Sequence, residues 1–177
     1  HAKRILYVGT TIETCDHGIG NDYSNYLERQ PDFINTLNAQ NKERLVIRLR
    51  GNRRKTELIK WCKMRFPSVK FEFSDEICFK DSLAKSDLMV CDYYGSPHIE
   101  ALMLGFPFLM YDALNIYVRN SGISDVINKL DNLGVYKHDG SDLAKEINEH
   151  NNWEEWLDRK EVNDAYNAYQ HRIAGNL

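Results

Sequence analysis

Residues 87–111 decide the fold, and their sequence is DLMVCDYYGSPHIEALMLGFPFLMY. Both ends of this stretch are short apolar runs of the kind that form buried strands. Between them, Ser96 is a predicted N-cap, Pro97 suits the first helical position, and the helix is expected to run to Leu104, where Gly105 ends it. Strand, helix and strand in close succession indicate a βαβ unit with two parallel strands.

The same alternation of strands and helices extends outward in both directions. It predicts a doubly wound, Rossmann-like α/β fold: a parallel sheet of five or six strands with helices on both faces and a helical C-terminus. Residues 69–73 alternate in polarity, which places that strand near an edge of the sheet. Strands are expected at 4–10, 45–49, 69–73, 87–92, 106–111 and, as a short sixth, 135–136. Helices are expected at 21–37 (divided at Pro31), 56–65, 79–85, 96–104, 115–132, 141–150 and 153–174.

Length and composition bound the function before any motif is considered. The chain has 177 residues, of which 42% are hydrophobic and 28% charged, so residues 1–177 are expected to form one domain that needs no disulfide or metal to hold its core. A net charge of −3 disfavours a dedicated nucleic-acid binder, which needs a basic face. The four cysteines form no CxxC pair, which predicts free thiols and a cytoplasmic location. No apolar run approaches the roughly 18 to 20 residues of a membrane span.

Ligands of doubly wound sheets bind outside the carboxyl ends of the strands. The first candidate segment there is the turn at Thr10 and Thr11, which could offer backbone N–H groups and hydroxyls to a phosphate. Its glycines do not match the dinucleotide or P-loop patterns, and a plain strand-to-helix turn is the alternative.

The second candidate segment ends the second strand at Arg48 and Arg50. Side chains alternate along a strand, so these two guanidinium groups share a face. An arginine beside a helix N-terminus suits a phosphate or carboxylate because its fork makes bidentate contacts. The alternative is a surface ion pair.

The third candidate segment, the start of the helix after the fourth strand, is the most specific. Gly95 permits a close backbone approach, and the first helical turn offers N–H groups and a positive dipole end to an anion. Glu100, one turn further, can accept hydrogen bonds from a ribose hydroxyl pair, and His98 is expected to contact phosphate or sugar. The alternative is simple capping and favourable dipole placement. The predicted ligand contacts here are Tyr94, Gly95, Ser96, Pro97, His98 and Glu100.

Catalytic residues are harder to select from the sequence. Asp16 and His17, in the polar loop after the first strand, are weak candidates for a base, with an exposed loop position as the alternative. Carboxylate pairs with metal-binding spacing are not evident, so no metal or other cofactor is expected.

The motif around these residues resembles a known enzyme class. Residues 100–107 have the form Glu-Ala-Leu-x-x-Gly-x-Pro and, with the strand that ends in Asp92, resemble the donor-binding half of GT-B glycosyltransferases. Residues 86–96 are similar to the CDP-glycerol glycerophosphotransferases and to transferases of bacterial surface-carbohydrate loci, including leptospiral-type members. Residues 47–51 resemble the Arg/Lys-Leu-His-Pro segment of these enzymes, with Arg-Gly replacing His-Pro, and residues 153–156 resemble their C-terminal Trp-Trp-like segment.

The resemblance implies a function in bacterial surface polysaccharide synthesis. Its donor would be a nucleotide-activated sugar, its acceptor a glycan or a lipid-linked group, and its location the cytoplasm, including the inner face of the membrane. Ser96 and the N–H groups of the first helical turn would meet the donor phosphates, Glu100 would hold the ribose, and Arg48 would neutralise the leaving nucleotide. The chain would be the C-terminal half of a two-domain enzyme, with residues 141–177 as its last helices, and inactive without the N-terminal domain.

Two other classes of function are weighed against this one. A non-catalytic flavodoxin-like or receiver-like binding module would use the same strand ends, but the chain supplies only part of the acidic pattern that a receiver needs. A stand-alone small enzyme such as a phosphatase would need a DxDx[TV] or Cys-x5-Arg signature, which this sequence lacks.

Overall fold

In the part of the chain that the structure describes, the sheet has six parallel strands. The computed structural model describes residues 3–9, 31–49, 60, 63–93, 95–112 and 124–174. The strands are β1 (Arg4–Val8), β2 (Leu45–Leu49), β3 (Lys70–Phe73), β4 (Ser86–Cys91), β5 (Phe108–Tyr111) and β6 (Tyr136–Lys137). Their order across the sheet is β3-β2-β1-β4-β5-β6, and every neighbouring pair is parallel.

This strand order confirms the predicted doubly wound fold. From β1 the chain adds strands outward to β3, then returns to pair β4 with β1 and adds strands outward on the other side. Because crossovers between parallel strands are right-handed, the two directions of winding place helices on opposite faces. The third strand lies at an edge, as its alternating sequence predicts. The order differs from that of flavodoxin-like and receiver-like domains, in which β1 lies between β2 and β3.

Seven helices with defined bounds lie in the described part of the chain, and most occupy the predicted positions. Two further helical stretches lie at 31–36 and 63–65. Residues 21–30, 56–59, 61–62 and 115–123 of the predicted helices lie outside the described ranges. The helices are α1 (Ala39–Arg44), α2 (Phe79–Ala84), α3 (Ser96–Met103), α4 (Ser124–Asn132), α5 (Gly140–Glu149), α6 (Trp153–Asp158) and α7 (Lys160–Ala174).

Helix α1 was not predicted, because its six residues contain no apolar periodicity. Its first turn is capped by Asn38, whose side chain accepts a hydrogen bond from the N–H of Asn41 at 2.8 Å. Asn41 is buried, and its side-chain amide donates to the carbonyl of Ile147 at 3.3 Å and to the side chain of Asn148 at 3.2 Å. Helix α1 is therefore stabilised by amide contacts to the end of α5 rather than by an apolar face.

The single helix predicted at 153–174 is wrong, because the chain breaks at Arg159. That residue is extended, with a ψ of 127°, and its carbonyl accepts hydrogen bonds from the N–H groups of Val162 and Asn163, which begins α7. The break lets α6 turn Trp153 and Trp156 into the core, where their side chains are 1% and 2% exposed.

Helix α7 is anchored directly to the sheet. The hydroxyl of Tyr166 accepts a hydrogen bond from the N–H of Phe108 at 3.1 Å and donates to the carbonyl of the same residue. Both backbone groups belong to the first residue of β5 and are buried. The side chain of Tyr166 thus provides a hydrogen-bond partner for two backbone groups that are not paired within the sheet.

Replacing Tyr166 by Phe removes this hydroxyl and leaves the two buried backbone groups of Phe108 without their hydrogen-bond partner. We expect the free energy of unfolding to fall by about 1 to 3 kcal/mol, the cost of leaving such groups unsatisfied. Urea unfolding followed by circular dichroism measures the change. A variant as stable as the wild-type protein would contradict the anchoring role.

Candidate functional site

A cleft of about 470 Å³ opens at the carboxyl edge of the sheet. It lies where the chain reverses its winding, beside the carboxyl ends of β1 and β4, which is where ligands of doubly wound folds bind. Strand ends form its floor, and the first turns of α2 and α3 form its walls. The described residues that line it are Val8, Gly9, Arg48, Leu49, Ser74, Phe79, Tyr93, Ser96, Pro97 and Glu100.

Four of the predicted ligand contacts meet in this cleft. Arg48 comes from the end of β2, while Ser96, Pro97 and Glu100 come from α3. Two other predicted contacts, Gly95 and His98, adjoin the cleft without lining it. The remaining predicted site residues, which lie outside the described ranges, are Thr10, Thr11, Asp16, His17, Arg50 and Tyr94.

The guanidinium of Arg48 is 93% buried beside the cleft and held by protein contacts. Its Nη1 donates to Oε1 of Glu72 at 2.8 Å and to Oγ of Ser82 at 2.9 Å, and its Nη2 donates to the carbonyl of Ile77 at 2.8 Å. The ring of Phe79 lies 5.6 Å from its central carbon, within cation–π distance. Arg48 thus forms an ion pair, as the alternative held, but with a buried partner and not at the surface.

The start of α3 differs by one residue from the prediction. Gly95 is the N-cap, Ser96 is the first helical residue and Pro97 the second. The close approach predicted at Gly95 is made by the ring of Tyr93: a Cβ at position 95 would lie 2.3 Å from the Cε2 atom of that ring. Glycine thus lets Tyr93 fold over the beginning of the helix and form part of the cleft.

His98 caps α3 from inside the protein, whereas the sequence favoured a contact with phosphate or sugar. Its Nδ1 accepts the N–H of Gly95 at 2.9 Å, and its Nε2 lies 3.1 Å from the hydroxyl of Tyr169 on α7. A backbone N–H can only donate, so Nδ1 carries no proton and the neutral ring donates from Nε2 to Tyr169. Burial lowers the pKa of His98 from 6.5 to about 4.

A second buried network, which the sequence did not reveal, lies on the opposite face of the sheet. The carboxylate of Asp92, fully buried after β4, accepts a hydrogen bond from the hydroxyl of Tyr7 at 2.6 Å. The hydroxyl of Tyr111 lies 2.7 Å from that of Tyr7 and donates to it, because Tyr7 gives its only proton to Asp92. Burial, followed by the charge of Asp92, raises the pKa of Tyr111 well above its usual range. These bonds tie together the ends of β1, β4 and β5 behind the cleft.

Comparison with known proteins gives the family of this chain. Residues 1–176 match the family model described as LIC12162 family transferase. The chain belongs to the LIC12162 transferase family. No curated protein matches the sequence. A solved structure of WaaG, described as a glycosyltransferase involved in lipopolysaccharide biosynthesis, is similar with 14% identity and a TM-score of 0.46, over 97% of this chain and 43% of that chain.

The cleft of this LIC12162 family transferase combines three kinds of groups. Arg48 and the first turn of α3 favour an anion, Glu100 offers an exposed carboxylate to hydroxyl groups, and Phe79 and Tyr93 offer aromatic surface. Within the described ranges, no cluster of three or more His, Cys, Asp or Glu residues could hold a metal ion. No helix in those ranges is both long and apolar enough to cross a membrane.

The capping role of His98 predicts a pH dependence of stability. The folded protein keeps the ring neutral down to about pH 4, whereas in the unfolded chain it takes up a proton near pH 6.5. The unfolded state therefore binds more protons between these values, so stability falls as the pH is lowered through them, by up to about 3 kcal/mol.

Urea unfolding of the wild-type protein and of His98→Gln across this pH range tests the effect. Glutamine at the third helical position can still reach back to the N–H of the N-cap but does not titrate. We expect the variant to lose less stability than the wild-type protein between pH 7 and about pH 4. If the free energies of unfolding of the two proteins fell in parallel with pH, the assignment of His98 as a neutral capping residue would be contradicted.

Proposed function

We propose that this chain is the donor-binding half of a glycosyltransferase and that its cleft binds a nucleotide-activated sugar. One observation carries the proposal. In a member of a transferase family, the reversal of winding between β1 and β4 brings Arg48, the first turn of α3 and Glu100 around one cleft. Ligands of doubly wound folds bind at this place.

The donor phosphates would bind at the first turn of α3. Helix N-termini present N–H groups that lack intrahelical partners, together with the positive end of the helix dipole. Ser96 is exposed at this turn and adds a hydroxyl, while Pro97 fixes the backbone there without offering an N–H. Arg48 approaches from the other side of the cleft. As the bond to the sugar breaks, charge grows on the leaving phosphate, and these groups would stabilise it.

The ribose would bind at Glu100. This residue lies one turn into α3, lines the cleft and is exposed. A carboxylate accepts hydrogen bonds from two adjacent hydroxyls, which suits the 2′ and 3′ positions of a ribose. The aromatic rings of Phe79 and Tyr93 are available for stacking on the base or the sugar.

Groups beyond this chain would complete the reaction. The chain spans 43% of the WaaG structure that it resembles, and we propose that an N-terminal domain supplies the acceptor site on the other side of the cleft. Asp16 and His17 remain candidates for the base. The acceptor would be a glycan or a lipid-linked group in surface polysaccharide synthesis, and the enzyme would then work in the cytoplasm or at the inner face of the membrane. No metal or other cofactor is proposed, because helix N–H groups and arginine can take that role.

The donor proposal predicts that the isolated chain binds nucleotide weakly and transfers no sugar. Isothermal titration calorimetry with CMP, CDP, UDP and GDP measures the binding, and the nucleotide with the highest affinity identifies the donor class. Absence of binding at millimolar concentrations of all four would count heavily against the proposal.

The ribose contact predicts a selective effect of Glu100→Gln. We expect nucleoside diphosphates to bind about tenfold more weakly, the value of a hydrogen bond to a charged group. Inorganic pyrophosphate has no ribose, so its affinity should not fall, and the loss of a negative charge from the cleft should raise it slightly. Glu149→Gln, an equal change at an exposed position at the end of α5, is the matched control. If Glu100→Gln lost the same affinity for pyrophosphate as for nucleotide, Glu100 would have a role other than holding the ribose.

A further inference from the structure

Arg48 belongs to a cluster of three charged side chains on one face of the sheet. Glu72 of β3 is its direct neighbour in the strand register, and only 3% of the Glu72 side chain is exposed. One carboxylate oxygen of Glu72 accepts from Arg48 at 2.8 Å, and the other accepts from Nη1 of Arg4 at 3.2 Å. One buried carboxylate therefore joins two arginines from different strands.

The cluster retains one positive charge, because two guanidinium groups share a single carboxylate. A buried arginine paired one-to-one would contribute no net charge to the cleft. Arg4 thus restores the charge that Glu72 cancels, without lining the cleft itself. Its second Nη donates to the carbonyl of Ser82 in α2 at 3.1 Å, which fixes the direction of its guanidinium.

The contacts of Arg48 fix its guanidinium but do not use all of its donors. Three hydrogen bonds, to Glu72, Ser82 and Ile77, use three of its five N–H groups. Within the described part of the chain, the other two donate to no protein acceptor, and Arg48 lines the cleft. An arginine that is already ordered loses less side-chain entropy when a ligand binds.

We propose that Glu72 is a positioning residue, which holds the guanidinium of Arg48 at the cleft, and that Arg4 offsets the negative charge of Glu72. Together the two residues make Arg48 a preorganised site for a phosphate group. The inference deepens the proposed function, on which it rests. It assigns two residues that do not touch the ligand to the binding of its phosphates. Neither residue stands in the motifs that indicate the donor site.

Two variants separate positioning from charge, with inorganic pyrophosphate as the probe. Arg4→Gln removes one charge but leaves Arg48 held by Glu72, and we expect about fivefold weaker binding through the lost charge. The double variant Arg4→Gln with Glu72→Gln keeps the net charge of the cluster at its wild-type value but removes the carboxylate. We expect about tenfold weaker binding from it, because the ligand must then order Arg48 itself.

Lys3→Gln is the matched control, since Lys3 adjoins Arg4 in the sequence, carries the same charge and pairs with the exposed Glu154 rather than with Glu72. We expect its affinity for pyrophosphate to stay within about twofold of wild type. Thermal unfolding of each variant, with and without pyrophosphate, verifies that the affinities compared are those of folded proteins. Wild-type affinity in the double variant would overturn the positioning role of Glu72, and wild-type affinity in Arg4→Gln would overturn the charge role of Arg4.

The same titrations distinguish a failure of this inference from a failure of the proposed function. If pyrophosphate binds with the expected pattern of losses but none of the four nucleotides binds, the phosphate site stands and the nucleotide-donor proposal fails. If nucleotides bind and the variants bind pyrophosphate like the wild-type protein, the donor proposal stands and this inference fails. If the wild-type protein binds neither, both are overturned.

Discussion

The pairing of β1 with β4 is the contact on which the rest of the structure depends. It joins strands that are distant in the sequence, with Ile5 beside Leu88 and Val8 beside Cys91, and it sets the point where the winding reverses. The cleft lies at this reversal, beside the carboxyl ends of the two strands. The strand ends are then fixed on one face by the bonds among Tyr7, Asp92 and Tyr111.

The wall of the cleft formed by α3 is supported from behind by the C-terminal helices. His98 connects the N-cap of α3 to Tyr169, and Tyr166 on the same helix, α7, bonds both backbone groups of the first residue of β5. Helix α7 can take this position because the chain turns at Arg159, after Trp153 and Trp156 have filled the core. The last third of the described chain thus supports the cleft indirectly, by holding the helix whose first turn lines it.

The charges around the cleft follow the alternation of side chains in the strands. Val8, Arg48 and Glu72 lie side by side across three strands and share a face, whereas Tyr7, one residue earlier, points to the other face. Each face therefore has its own buried polar network, one rich in arginine and one built from tyrosine and aspartate. Of these two networks, the arginine cluster includes a residue that lines the cleft, Arg48.

The sequence by itself determined the strands, most helices and the winding, because each follows from local periodicity, capping residues and the handedness of crossovers. It also selected Arg48, Ser96, Pro97 and Glu100, since all four stand at strand ends or a helix start. It could not show that His98 turns inward, because Tyr169 lies 71 residues away. It could not pair Arg48 with Glu72 either, 24 residues apart, because strand register is fixed only when the sheet assembles. Tertiary structure alone decided which charges are cancelled and which remain for a ligand, because that balance depends on contacts between strands that no local pattern encodes.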